Sequence, residues 1–404
     1  MNWQSVSLRS IAKVITKGTT PTSIGHSFSQ TGIPFLRVNN IDNHYITLDD
    51  VLFIDGQTDA ALARSRIHPR DILVSIAGTV GRTAVVAPSH PAMNCNQAVA
   101  IIRLQDWVDP DYLAYWFSSE EAIQQITALQ VTGTIANLSL NSIKNLQISL
   151  PSLEEQQRIV TLLNRANAVR HKRKQTIQLT EELLRSIFLD LFGDPVTNPK
   201  NWDRLALGQI ATIQKGLHVT PKRQAFPLEL PYLRVANVYR DQLRLDAIKT
   251  IRVTPQELQK IRLEPGDLLL VEGHGNPEEI GRSAVWEGAI PNCVYQNHLI
   301  RVRVDRALAN PTYISAYLNS PGGRRQFAQF GKTTSGLKTI TASNVKAITI
   351  ACPPLKFQQH YCEYQRQLTH TLQIAHRHFQ EADNLFNTLL QTAFRREAHS
   401  VQPR

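Results

Sequence analysis

The chain has 404 residues, which is long for one hydrophobic core and favours two or three domains. Lysine and arginine outnumber the acids by 44 to 33, a formal net charge of +11, which favours a polyanionic partner, although a merely soluble basic protein stays an alternative. No window reaches the roughly 18 apolar residues of a membrane span, no signal-peptide pattern opens the chain, and the four cysteines form no metal-binding spacing, so we expect a reduced, cytoplasmic protein without membrane, metal or cofactor.

Residues 1–150 are predicted to form a mixed domain. Short β-rich runs bounded by Gly, Pro, Asn and Asp indicate strands at Ile33–Val38, Ile72–Ala77, Thr83–Ala87 and Ala98–Leu104. Helical patterns follow, at Asp111–Ser118 and Glu120–Leu129. This mixture predicts an α+β domain.

A long helix is predicted for residues 151–193. Ser152 with Glu155 three residues later is typical of a capping box, and Gly193 and Pro195 end the pattern. We expect its seam positions at Ile159, Leu162, Ala166, Val169, Leu183 and Ile187. Residues 194–201, rich in Pro and Asn, are predicted to be a linker.

The second half of the chain repeats the first. Matching segments keep their order, with offsets between 196 (Pro69 to Pro265) and 202 (Pro151 to Pro353). The matched segments include Trp3–Leu8 with Trp202–Leu207, Pro34–Ile41 with Pro231–Val238, and Gly81–Ala84 with Gly281–Ala284. We therefore predict a second domain at 202–352, a second long helix at 353–397 and a tail at 398–404.

The two long helices are predicted to pack on each other. Each has about 40 residues, or roughly 60 Å, too long to bury its apolar stripe against one small domain. The second helix has the same heptad phase, at Tyr361, Leu368, Ala375, Ala382 and Leu389. A coiled coil would bury the apolar stripes of both helices against each other. Two separate surface helices are the alternative.

Motifs for catalysis are missing from the sequence. Gly331-Lys332-Thr333 suggests a phosphate-binding loop, but Gln326 stands where that loop needs glycine. Neither GxSxG nor HExxH occurs. His376 and His378 are two apart on a helix and so face different sides, which argues against a metal site. We therefore expect a protein that is not an enzyme and has no catalytic residues.

Polar loops in both copies have side chains suited to nucleic acid. Glycine lets a backbone approach a ligand, arginine suits phosphate or guanine, and asparagine or glutamine suits adenine. The candidates are Thr19, Thr20, Arg37, Asn39, Asn40, Thr79, Arg82, Asn96, Gln97, His218, Arg234, Asn237, His274, Asn276, Arg282, Gln296 and Asn297. Equally, Gly81-Arg82 and Gly281-Arg282 are compatible with a plain hairpin turn, and the amides with turn capping.

The two copies differ mainly in these loops. Thr79-Val80 in the first copy faces Asn276–Ile280 in the second, and Thr19–Pro21 faces Leu217–Pro221. Two similar frames with different loops predict two different ligands or half-sites.

The whole pattern resembles the specificity subunit of type I restriction–modification enzymes. The resemblance rests on Lys17–Pro21, Pro34–Arg37, Pro151–Ile159 and Leu191–Pro195 in their order, together with the duplicated layout. It covers essentially the whole chain. One departure is Pro353–Phe357, which replaces the acidic start of the first helix.

The resemblance implies two target recognition domains, each reading one half of a split, asymmetric sequence in double-stranded DNA. It also implies that the helices form an antiparallel coiled coil that docks two methyltransferase (modification) subunits, which restriction (helicase-nuclease) subunits join. The catalytic chemistry would then belong to those partners. A non-catalytic scaffold that binds proteins through its two domains is the alternative.

Overall fold

The computed structural model describes residues 3–42, 44–129, 137–330, 332–334 and 337–395, without the side chains of 332–334 and 337–338. The chain divides into two compact units, residues 1–175 with 376–404 (unit 1) and residues 176–375 (unit 2). The division falls inside the two long helices, so each unit contains a segment of both.

The first copy of the repeat begins with eleven described strands and five short helices. The strands are β1 (Gln4–Ser7), β2 (Ala12–Lys17), β3 (Ile33–Leu36), β4 (Ile41–Asp42), β5 (Tyr45–Ile46), β6 (Leu52–Ile54), β7 (Ile72–Ser75), β8 (Thr83–Val85), β9 (Asn94–Cys95), β10 (Val99–Leu104) and β11 (Gln147–Leu150). The helices are α1 (Leu8–Ile11), α2 (Gly56–Ala61), α3 (Pro110–Trp116), α4 (Glu120–Leu129) and α5 (Leu140–Asn145), followed by the long α6 (Leu153–Phe192). Short 3-10 turns cover Pro21–Ile24, Val38–Asn40 and Ala63–Ser65.

The second copy repeats this order with three additional described strands. Its strands are β12 (Arg204–Ala206), β13 (Ala211–Lys215), β14 (Leu228–Leu233), β15 (Val238–Tyr239), β16 (Gln242–Leu243), β17 (Lys249–Val253), β18 (Asp267–Val271), β19 (Gly273–His274), β20 (Ser283–Val285), β21 (Val294–Tyr295), β22 (Leu299–Val304), β23 (Lys332–Thr334), β24 (Leu337–Thr339) and β25 (Thr349–Ala351). Its helices are α7 (Leu207–Ile210), α8 (Pro255–Ile261), α9 (Pro311–Asn319), α10 (Pro321–Phe330) and α11 (Ala342–Ala347), followed by the long α12 (Leu355–Phe394). Its 3-10 turns cover Pro221–Ala225, Val235–Asn237 and Pro277–Glu279.

Each copy is built on the same antiparallel sheet of four strands. The order is β2-β10-β7-β8 in the first copy and β13-β22-β18-β20 in the second. A three-stranded sheet accompanies each, β6-β3-β9 and β17-β14-β21, in which the last pair is parallel. Helices pack on one face of these sheets around a buried core. The predicted α+β fold is confirmed.

A buried ion pair is repeated in the two sheets. Arg103 on β10 donates two hydrogen bonds of 2.7 Å to Asp71, which precedes β7. Arg303 on β22 donates to Asp267 in the same way, at 2.6 and 2.8 Å. Both aspartates are buried, and paired hydrogen bonds from a guanidinium are what a buried carboxylate needs. The duplicated pair locks the two central strands of each sheet.

The two long helices pack antiparallel within each unit. In unit 1 the early part of α6, with Ile159 and Leu163, shares a core with Phe386 and Phe394 of the late part of α12. In unit 2 the late part of α6 meets the early part of α12, where Phe188 lies edge-on to Tyr361 at 5.4 Å between ring centroids. An early segment that meets a late one is the pattern of an antiparallel pair.

The predicted seam positions of α6 differ in burial. Ile159 is buried, and Ala166 and Ile187 are partly buried in the two cores. Leu162, Val169 and Leu183, however, are about half exposed, and the inward positions are Leu163, Arg170 and Leu184. The second inward position of each seven-residue step thus comes four residues after the first, not three. Both spacings satisfy a heptad.

The five positions predicted on the second helix are buried or half-buried. Tyr361 and Ala375 are buried, and Leu368, Ala382 and Leu389 are half-buried. Gly193 ends α6 with φ of 77°, and Trp202 donates its indole N–H to the carbonyl of Phe192 at 3.1 Å. The segment between them is therefore fastened to the end of the helix.

Candidate nucleic-acid interface

Candidate side chains of the first domain meet at one end of the four-stranded sheet. Strand β2 ends at Lys17, and its neighbour β10 starts just after Ala98. Gly18 lies so close to the chain before β10 that a Cβ there would stand 2.0 Å from the carbonyl oxygen of Cys95. This close approach brings the loop after β2 beside the loop that holds Asn96 and Gln97.

The two loops are joined by side chains as well. The hydroxyl of Thr20 donates to the side-chain carbonyl of Gln97, and Arg64 approaches Thr19 Oγ1 at 3.5 Å. Gln97 is exposed. Asn96 is half-buried, and its Oδ1 accepts the N–H of Ala98 at 3.1 Å. The structure therefore brings together four predicted residues, although the amide oxygen of Asn96 already accepts a hydrogen bond within its own turn.

The glycine-bounded loop after β7 is a tight connection to β8. Gly81 has φ of 92°, and its N–H donates to the carbonyl of Ser75 at 2.9 Å. Gly281 repeats this in the second domain, with φ of 74° and a bond to Val271. These glycines serve a hairpin. Thr79 is exposed at its tip, and Arg82 is half-buried.

The second domain gathers its candidates at the same strand ends. A Cβ on Gly216, after β13, would lie 2.3 Å from the carbonyl oxygen of Tyr295. The N–H of Asn297 donates to Leu217 at 2.8 Å, and that of Gln296 to Leu233 at 2.9 Å. His218 is exposed beside them. Corresponding loops thus meet in both domains, with different side chains.

His274 and Asn276 lie on the loop that follows β18. His274 is half-buried on β19, and its Nδ1 accepts the N–H of Asn276 at 3.0 Å. Asn276 is exposed, and its Oδ1 accepts the N–H of Glu278. Both side chains shape the loop, and each keeps one polar group to offer a ligand.

Asn40 and Asn237 are structural and do not face a ligand. Both are buried, with 2% of the side chain exposed. Asn40 accepts the N–H of Arg37 at 2.9 Å and donates to the carbonyl of Thr47, while Asn237 does the same with Arg234 and Arg244. Turn capping thus uses the whole amide, and these two DNA-binding predictions were wrong.

The neighbours of these asparagines have different surroundings. Arg37 and Arg234 are half-buried, and Arg37 donates to the carbonyl of Asp50 at 3.0 Å. Asn39 is exposed. It is the residue of this turn that is open to a ligand.

Arg282 is also a structural residue. Only 6% of it is exposed, and its guanidinium donates to Glu279 and to the carbonyl of Val235, both at 3.0 Å. The same group lies 4.8 Å from the ring centre of Tyr239. The predicted DNA contact at Arg282 was therefore wrong, because the charge is already neutralised inside the domain.

Sequence reasoning missed a charged cluster in the second domain, which we call the Glu272 cluster. Glu272 follows β18, Lys215 ends β13 and His298 precedes β22, so three neighbouring strands place them together. Lys215 donates its ammonium to Glu272 Oε1, and His298 Nδ1 lies 3.3 Å from Glu272 Oε2. The contacting residues are 57 and 26 positions apart in the sequence, so no local pattern indicates the cluster.

The described residues show little that suits catalysis. Burial raises the pKa of the Cys95 and Cys293 thiols to about 12, so neither is a ready nucleophile. Within the described ranges, no group of three His, Cys, Asp or Glu is placed to hold a metal. Nor is any helix in the described ranges long and apolar enough to cross a bilayer. Part of the Gly331–Thr333 motif lies outside the described residues.

Comparison with known proteins agrees with this picture. A family model described as the type I restriction modification DNA specificity domain matches residues 1–181 and again residues 199–382. The chain belongs to this family. It is a DNA specificity subunit, and such subunits leave catalysis to others.

Relatives of this specificity subunit match over most of its length. The specificity subunit of the type I restriction enzyme EcoKI from Escherichia coli K12 is 24% identical over 388 residues, covering 90% of this chain and 82% of the relative. That of StySPI from Salmonella potsdam is 24% identical over 343 residues, covering 81% and 73%.

Solved structures share the fold of this specificity subunit. The specificity subunit from M. genitalium superposes with a TM-score of 0.53 at 14% identity, covering 98% of this chain and 97% of the other. A chain from a study of complex assembly in a type I restriction–modification system gives a TM-score of 0.53 at 19% identity, covering 98% of both.

Proposed function

We propose that each domain of this specificity subunit reads one half of a split, asymmetric sequence in double-stranded DNA. The observation that carries the proposal is the pair of equivalent loop clusters at the same strand ends. The first domain offers Thr19, Thr20 and Gln97 there. The second offers His218 and the Gln296–Asn297 pair. Because the two domains share a backbone arrangement but present different side chains, we expect the two half-sites to differ in sequence.

The net charge of +11 supports DNA as the ligand. Basic proteins release condensed counterions when they neutralise phosphates, and this supplies much of the affinity for DNA. Amide and hydroxyl groups then discriminate among base edges in the major groove. The loops of the first domain contain both kinds of group, the guanidinium of Arg64 beside Thr19 and the hydroxyl and amide of Thr20 and Gln97.

Methylome sequencing tests this proposal. The chain is co-expressed with a methyltransferase subunit of a type I system in a host without other DNA methylation. We expect methylation within one sequence of two unlike halves separated by a fixed gap. Methylation of a continuous palindrome, or a purified complex whose affinity for duplex DNA does not fall with salt, would contradict it.

We further propose that the long helices dock two methyltransferase subunits and that restriction subunits join this assembly. Leu162, Val169 and Leu183 lie seven or fourteen residues apart on one side of α6, and 46%, 50% and 49% of each is exposed. Large apolar side chains repeated along one face of a helix favour contact with a partner. On α12 the counterparts of Leu162 and Leu183 are Tyr364 and Leu385, which are 38% and 56% exposed and favour a second such position.

Replacement of the three exposed residues by serine tests the docking. We expect the triple variant to lose most of its co-purification with the methyltransferase subunit and to keep its melting temperature, because these side chains do not fill the core. Gln178→Ser, at an exposed polar position of α6, is the matched control. Undiminished co-purification of the triple variant would show that the partner docks elsewhere.

A further inference from the structure

The Glu272 cluster exists in only one of the two domains. The N–H of Glu272 donates to the carbonyl of His298 at 3.0 Å, and in the first domain Ile76 donates to Ala98 at 2.8 Å. These bonds identify Ile76 as the counterpart of Glu272 and Ala98 as that of His298. The first domain thus has two apolar residues where the second has an acid and an imidazole.

Burial within the cluster separates the acid from its partners. The side chain of Glu272 is 11% exposed, whereas Lys215 is 45% and His298 is 55% exposed. A base edge can therefore reach the ammonium and the imidazole but not the carboxylate. The cluster presents hydrogen-bond donors, and the acid behind them fixes where they stand.

The position of the cluster relates it to the proposed interface. Lys215 is followed by Gly216 and the loop of His218, and His298 directly follows Gln296 and Asn297. Glu272 directly precedes β19, which includes His274. The three charged residues thus lie at the root of every loop that we assign to DNA in this domain.

The charges explain why an acid is tolerated beside DNA. A lone carboxylate at a DNA-facing surface repels phosphates, and a buried one is costly without a partner. Lys215 provides a cation that pairs with one carboxylate oxygen of Glu272, and the His298 ring lies against the other. Two partners on one acid offset the repulsion and leave N–H donors outward.

We propose that Lys215 and His298 are specificity-determining residues of the second domain and that Glu272 is the positioning residue that aims them at guanine. This rests on the proposed function of the domain. Guanine offers two acceptors, O6 and N7, in the major groove, where lysine and arginine contacts with it are the commonest. The first domain, without the cluster, reads its half-site with hydroxyl and amide groups.

Selection from a duplex library of randomised sequence tests the proposal. The full chain is assembled with its methyltransferase subunits, and bound duplexes are sequenced for the wild type and for Glu272→Gln. We expect Glu272→Gln to weaken the preference for guanine at one position of one half about tenfold, the scale of one good base contact. The other half should keep its profile.

Three further variants complete the design. Lys215→Met and His298→Asn remove the donors themselves and should relax the same position as Glu272→Gln. Glu287→Gln removes an exposed acid just after β20, at the opposite end of the four-stranded sheet, and should leave every base preference unchanged. Thr20→Ala, in the first domain, should alter only the opposite half.

The outcomes separate this inference from the proposed function. A wild type that selects no two-part sequence contradicts the proposed function itself. A wild type that selects one, with unchanged preferences in Glu272→Gln, Lys215→Met and His298→Asn, overturns the inference alone. A uniform loss of affinity in both halves also overturns it, because that result indicates general damage. Should Glu272→Gln fail to fold, the Lys215 and His298 variants decide.

Discussion

Arg170 of α6 and Asp383 of α12 form an ion pair across the helix pair of unit 1, with Nη1 and Oδ1 3.3 Å apart. The same guanidinium donates to Asn167 at 2.8 Å and stacks 4.0 Å from the ring centre of Phe386. An arginine held on three sides accepts only one register of the two helix segments. This contact therefore selects the alignment, while the apolar neighbours supply most of the stability.

The first prediction concerns this pair. Arg170→Met should lower the free energy of unfolding by about 1–2 kcal/mol, since Asp383 loses its cation and Phe386 its stacked partner. A double-mutant cycle with Asp383→Asn, followed by urea unfolding, should give a coupling energy of about 1 kcal/mol. Strictly additive effects would show that the pair does not couple the helices.

The second prediction separates structure from recognition in the Arg37–Asn40 turn. Asn40→Ala should cost about 2 kcal/mol, because it leaves a buried N–H of Arg37 without an acceptor. Asn39→Ala, at the exposed neighbour, should cost less than about 0.5 kcal/mol. Urea unfolding measures both. An altered base preference in a folded Asn40→Ala complex would show that Asn40 takes part in DNA recognition.

The third prediction concerns the close approach at Gly18. Gly18→Ala puts a methyl group 2.0 Å from the carbonyl oxygen of Cys95, so the loop must shift, at a cost of about 1–3 kcal/mol. The variant should also bind DNA more weakly, because Thr19 and Thr20 move with the loop. Gly56→Ala is the control, since a Cβ there meets nothing within 4 Å. Equal melting temperatures for the two variants would refute the argument.

The fourth prediction concerns pH. His44 packs 4.5 Å from the ring of Tyr115, and burial, then the charge of Arg170, lowers its pKa from 6.5 to about 4. Between these values the unfolded chain binds a proton that the folded chain does not. Stability due to this histidine is therefore complete above pH 6.5 and falls as the pH drops toward 4, by about 3 kcal/mol at most.

His44→Asn removes this dependence. Asparagine tolerates the positive φ of 78° at this position. The free energy of unfolding is measured with urea for both proteins from pH 7 to pH 4. As the pH falls, the wild type should lose more stability than the variant. Parallel curves over that range would mean that His44 does not titrate as described.

Much of the fold could be predicted because its signals are local or repeated. The strand predicted at Ile72–Ala77 ends at Ser75, and the helix predicted at Glu120–Leu129 has those bounds. The α6 seam was mistaken at Leu162 because heptads with spacings of three and four residues share the same seven-residue series. Only the neighbouring helix decides between them, and its contacts are distant in sequence.

The site was harder to predict, because residue type does not reveal burial. Arg82 and Arg282 follow the same glycine in the two copies, yet Arg282 is held by Glu279, an acid within a loop that differs between the copies. Asn39 and Asn40 are adjacent, but only Asn40 faces the turn it caps. The Glu272 cluster depends on three strand ends, which the sequence alone does not bring together.

Unit 2 is one continuous stretch of chain, whereas unit 1 is completed by residues 376–394 at the far end of the sequence. A ribosome therefore synthesises every residue of unit 2 before it adds Phe386, Leu390 and Phe394, which fill the core of unit 1. The first domain to be synthesised is thus the last whose core can close. Until residues 376–394 are added, the apolar surface of the first domain stays exposed, and chaperones can bind it during that interval.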